Sequence, residues 1–262
     1  MQPADSQSQR IPAQFETIFS QLLNALENKS IAVGRDQQHA STLYMSPKSA
    51  NEVMEVVKLC SRTHTPISLC YGTQGTVSPE PRVYLDLQRL DIITPLSESR
   101  YLVGLGASVS KLRATPLQAL VPDDGVDRYA DQCLGQLLLS QASSQIRHIE
   151  QSVVGLVAVL PDGQLWSSLN NQQQCASERL LNALFVSEAE AALSVLIALE
   201  LESNPDKWFV KAPVFGDVDA LPNSSGASTQ HVISKLKEAL DPNRILNGAK
   251  PSVQASNSPG VL

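Results

Sequence analysis

The residues best suited to chemistry form one short glycine-containing segment: Tyr71, Gly72, Thr73, Gln74 and Gly75. Glycine has no side chain to keep a ligand away from the backbone, and it accepts the positive φ angles that tight loops require. Several backbone N–H groups in such a loop can point at one anion and bind a phosphate or a pyrophosphate. An ordinary connecting turn has the same composition, so the segment alone leaves both interpretations open.

Other chemically useful residue types lack the spacing that their chemistry needs. The histidines show no metal-ligand spacing, and no serine lies in a Gly-x-Ser-x-Gly motif. The cysteines form no C-x-x-C pair, and we expect them to be reduced thiols of a cytosolic protein. We therefore predict no metal site and assign no catalytic residue. The residues concerned are His39, His64, His148, His231, Cys60, Cys70, Cys133 and Cys175.

Three predicted elements position the glycine-containing segment. A helix is expected from Ala50 to Arg62, because Ser49 can cap it and Glu52 completes a capping box. A strand is expected over residues 67–70, since Pro66 precedes it, and a second strand over residues 83–87. The segment is thus predicted to follow a strand and to lead towards the next one.

The rest of the chain gives further predictions of local structure. Residues 177–202 favour a helix by composition, whereas 193–201 also fit a strand, and propensity alone leaves this open. The other predicted elements are an amphipathic helix from Phe15 to Leu26, a strand over 101–105, a β-hairpin of 152–160 and 164–167, and a helix that stops at Asp241-Pro242 in a surface turn.

Bulk properties narrow the class of protein. The chain has 262 residues and a net charge of -6 with a pI near 5.2, which argues against nucleic-acid binding and against a polybasic membrane patch. No run reaches the roughly 18 apolar residues that a membrane helix needs, so we predict no membrane insertion and a cytoplasmic location. The polar ends, residues 1–10 and 251–262, are predicted to be disordered.

Four blocks, in one order along the chain, resemble the motifs of a known family. They are PISLCYGT at 66–73, VYLDLQRL at 83–90, VVGLVAVLPDG at 153–163 and LKEALDPNRILN at 236–247. Together they resemble the FAD-linked oxidases of the vanillyl-alcohol-oxidase type, which have a PCMH-type FAD-binding domain. The small flavin subunit of bacterial glycolate oxidase is especially similar.

This resemblance implies an α+β fold, namely a PCMH-type FAD-binding domain of two α/β subdomains, with FAD as the cofactor. It also implies larger flavin or iron–sulfur oxidase subunits as partners and a 2-hydroxy acid such as glycolate as the substrate. The implied parts are subdomains at 11–90 and 91–203, a nearly absent cap or linker at 204–230, and a C-terminal family helix and signature at 231–250. The implied cofactor-binding residues are Tyr71, Gly72, Thr73, Gln74, Gly75, Gly135 and Asn247. The resemblance also favours a strand at 195–201.

Several glycines that the family uses are absent. Cys70-Tyr71 stand where the family has Arg-Gly, and Cys133-Leu134-Gly135-Gln136 replace T-V-G-G. The third contact region, 186–194, has no glycine, and 204–230 is too short for a cap with its own core. A flavin-free relative that acts as a structural or regulatory subunit is therefore the alternative.

Overall fold

The computed structural model describes residues 13–26, 31–35, 42–72, 82–121, 130–139, 149, 152–169, 193–201 and 234–246. The helices are α1 (Ala13–Leu26), α2 (Ala50–Arg62), α3 (Val109–Arg113), α4 (Leu134–Leu139) and α5 (234–240). The strands are β1 (Ala32–Arg35), β2 (Thr42–Ser46), β3 (Ile67–Cys70), β4 (Arg82–Asp86), β5 (Ile93–Pro95), β6 (Arg100–Gly104), β7 (Val153–Val159), β8 (Leu165–Ser167) and β9 (Leu193–Glu200).

The first sheet has the strand order β1-β2-β4-β3. Strands β2, β4 and β3 are parallel, and β1 is antiparallel to β2 at the edge. Helix α2 connects β2 to β3, as parallel strands require a crossover. Strand β4 lies between two neighbours, and its residues 82–85 are all buried. Because β2, β3 and β4 run in the same direction, their C-terminal ends lie along the same edge of the sheet.

The second sheet has the order β5-β6-β9-β7-β8, and every pair in it is antiparallel. Strand β9 lies between β6 and β7 and is buried over most of its length. Strands β7 and β8 form the predicted hairpin, and its turn at Gly163 lies against Lys58 of α2. This contact links the second sheet to the helix that follows β2.

Most of the predicted local structure is confirmed. Helix α2 has the predicted bounds, and the Ser49 hydroxyl accepts the Glu52 N–H at 3.3 Å. The Glu52 carboxylate accepts the N–H of Lys48 at 2.7 Å, one residue earlier than a standard capping box has it. Leu87, predicted as strand, instead begins a 3₁₀ turn that Asp86 caps. Residues 193–200 form a strand, which settles that part of the ambiguous stretch.

The C-terminal segment corrects one prediction. Helix α5 ends at residue 240 as expected, but Asp241 lies in a buried turn and not in a surface turn. Its carboxylate accepts the N–H groups of Ile245 at 2.8 Å and Leu246 at 2.7 Å. The carbonyl of Ile245 in turn accepts the N–H of Ile67 at 2.7 Å, so the segment extends the pairing at the start of β3.

Several predictions fall on residues outside the described ranges. These are the two polar ends, the intervals 177–192 and 204–230, Cys175, His39, His148 and His231. The three described cysteines, Cys60, Cys70 and Cys133, are free thiols. No helix in the described part of the chain is long and apolar enough to cross a membrane.

Candidate functional site

The predicted glycine-containing segment begins where β3 ends. Cys70 of β3 pairs with Asp86 of β4, so the two strands finish side by side. Gly72 follows with φ of +71°, in the left-handed region that glycine favours, and its N–H donates to Asp86 Oδ1 at 3.1 Å. The backbone therefore turns sharply at Gly72, directly above the end of the neighbouring strand.

Asp86 holds three parts of this edge together. Its Oδ1 accepts the N–H groups of Gly72 and, at 3.0 Å, of Gln88, while its Oδ2 accepts the Ser46 hydroxyl at 3.2 Å. The ends of β2 and β4 and the turn after β3 thus share one carboxylate. The sequence analysis did not single out Asp86 as a site residue. A polar residue that ends a buried strand and starts a 3₁₀ turn is the signal that could have identified it.

The second predicted contact region starts α4. Cys133 forms an isolated antiparallel bridge with Ser108, and the next two N–H groups are paired with backbone carbonyls. Leu134 donates to the Ala107 carbonyl and Gly135 to the Leu105 carbonyl, both at 2.8 Å. The chain just after β6 therefore fixes the position of Gly135.

Tyr71 and Gly135 bring these two regions together. A Cβ placed on Gly135 would overlap the Cζ and Cε1 atoms and the hydroxyl of Tyr71. The Tyr71 side chain is largely enclosed, and the residue is only 8% exposed. Of the predicted cofactor-binding residues, the structure thus places Tyr71, Gly72 and Gly135 at one location. We call Tyr71, Gly72, Asp86 and Gly135 the candidate site.

Thr73, Gln74, Gly75 and Asn247, the other predicted cofactor-binding residues, lie outside the described residues, as does most of the third contact region, 186–194. Their part in the candidate site stays a prediction.

Burial governs the ionisation of the groups around Tyr71. It raises the pKa of the Cys70 thiol to about 12, and the Asp86 carboxylate adds to this effect. It raises the pKa of Cys133 to about 11, partly opposed by the nearby N–H groups of Gln136, Cys133 and Gly135. The pKa of Tyr71 is also raised, first by burial and then by Cys133, Cys70 and Asp86. At neutral pH these groups are protonated, so none of the three is an activated nucleophile.

The hydrogen bonds and the free space of the candidate site show whether its described residues could bind a pyrophosphate. Such a group needs several backbone N–H donors that are not already used. Here Gly72 donates to a carboxylate, and Leu134 and Gly135 donate to backbone carbonyls. The ring of Tyr71 occupies the space beside Gly135. As arranged, the described residues do not fit a pyrophosphate.

Within the described ranges, no group of three or more His, Cys, Asp or Glu side chains could hold a metal ion.

Comparison with known proteins gives matches in structure. No family model matches the sequence, and no curated protein matches it. p-Cresol methylhydroxylase with substrate bound matches with a TM-score of 0.54 and 14% identity, over 73% of this chain and 44% of that chain. The isoeugenol complex of 4-ethylphenol oxidase from Gulosibacter chungangensis matches with a TM-score of 0.52 and 13% identity, over 74% of this chain and 44% of that chain.

A third solved structure is that of the glucooligosaccharide oxidase from Acremonium strictum, which carries a 6-S-cysteinyl, 8α-N1-histidyl FAD. It matches with a TM-score of 0.50 and 11% identity, over 68% of this chain and 42% of that chain. The chain therefore shares its fold with p-cresol methylhydroxylase and with these two oxidases over 68–74% of its length. At these identities the likeness concerns the fold alone, and the chain spans less than half the length of each of these structures.

Proposed function

We propose that this chain is an FAD-linked oxidase-type protein, similar to the small flavin subunit of bacterial glycolate oxidase. It works beside larger flavin or iron–sulfur subunits that act on a 2-hydroxy acid such as glycolate. The four sequence blocks support the choice of subunit, and the fold supports the general class. The substrate follows from the resemblance, because no described side chain specifies a hydroxy acid.

One observation carries this proposal. Two regions that the resemblance marks as cofactor contacts, at Tyr71–Gly72 and at Cys133–Gly135, are far apart in the sequence and lie together in the structure. The resemblance marks both segments as cofactor contacts, so their meeting at one location supports the FAD-binding candidate. FAD, when bound, would supply the redox chemistry, and the protein would supply binding and orientation.

A second candidate is a flavin-free relative that serves as a structural or regulatory subunit of the same kind of complex. The specific observation in its favour is the state of the candidate site. The Tyr71 ring fills the space at Gly135, and the N–H groups of Gly72, Leu134 and Gly135 already have partners within the protein. The fold of such a flavin-free relative would serve to bind other subunits of the complex.

Titration of the purified full chain with FAD, followed by the visible absorption spectrum, tests the choice. A saturable change in the flavin bands supports the FAD-binding candidate, even if the flavin is lost during gel filtration. A spectrum equal to that of free FAD at every concentration contradicts it and supports the flavin-free candidate. A mixture with serum albumin is the matched control for non-specific flavin uptake.

A further inference from the structure

We draw no further inference here: the strongest candidate, an exposed apolar patch at the outer edge of the second sheet where Ile92 and Leu96 flank β5, carries none because no contact in the described part of the chain shows what covers it.

Discussion

The ring of Tyr71 lies where the side chain of residue 135 would be, and only the glycine at that position allows the contact. Tyr71 follows the end of β3, whereas Gly135 lies in the first turn of α4. The two residues therefore join the edge of the parallel sheet to the segment that follows β6. This contact has consequences for the stability of the protein.

Gly135→Ala should destabilise the protein by about 1–3 kcal/mol, because its Cβ overlaps the enclosed Tyr71 ring. The free energy of unfolding from urea titration measures this loss. Gly155→Ala in β7 is the matched control, since its nearest neighbour is the flexible Leu169 Cδ2 at 3.2 Å, and it should cost less.

Gly135→Ala in a Tyr71→Ala background separates the effect of the contact with the Tyr71 ring from the effect of the backbone change at position 135. Without the ring, Gly135→Ala should cost little, and the double-mutant cycle should give a coupling of about 1 kcal/mol or more. Additive effects of the two substitutions would show that the Tyr71–Gly135 contact is not the cause.

Gly72→Val should both destabilise the turn and weaken any retention of FAD. The φ of +71° at position 72 is unfavourable for a β-branched residue by roughly 1–2 kcal/mol. A Cβ at this position would also lie 2.5 Å from Gln88 Oε1. Urea titration and flavin content measure the two effects. Gln88→Ala should relieve the overlap and leave the cost of the backbone angle. Unchanged stability and flavin content in Gly72→Val would show that neither the angle nor the loop matters.

Asp241→Ala should destabilise the protein by roughly 1.5–3 kcal/mol, because two buried N–H groups lose a charged acceptor. Asp162→Ala is the control. Its carboxylate accepts the N–H of Gln164 at 2.8 Å in an exposed turn, where water can replace it, and the expected cost is about 0.5 kcal/mol or less. Equal urea midpoints for the two variants would contradict the buried role of Asp241.

Stability should fall as the pH rises above about 9, in part because of Cys60. Burial raises the pKa of this thiol from its ordinary 9.0 to about 12, so above pH 9 the unfolded chain loses a proton that the folded chain keeps. The stabilising contribution is complete below pH 9 and is lost as the pH rises towards 12.

Cys60→Ala tests this pH dependence directly. The variant removes the titrating thiol and should show a shallower decline of the free energy of unfolding between pH 9 and pH 11 than the wild type. Identical slopes for the two proteins would contradict the contribution of Cys60.

Local signals account for the parts of the fold that the sequence predicts well. The N-cap of α2 needs only Ser49 and the N–H three residues later, and the β7–β8 hairpin needs only its turn residues. Residues 193–200 were ambiguous because their propensities conflict. Pairing with β6 and β7, which is non-local, determines that they form a strand.

In the candidate site, too, the sequence indicates residues with local signals but not the contacts between distant residues. Gly72 and Gly135 could be marked from their residue types, but their shared neighbour Tyr71 could not be assigned a contact, because its partner is distant in the sequence. The burial of Asp241 likewise depends on the pairing of Ile245 with Ile67. Contacts of this kind follow from the assembled sheets and not from local propensity.

Titration of the purified wild type with FAD, followed by the visible absorption spectrum, tests the central claim most directly. The account predicts a saturable change in the flavin bands that serum albumin does not reproduce. A spectrum equal to that of free FAD at every FAD concentration would contradict it.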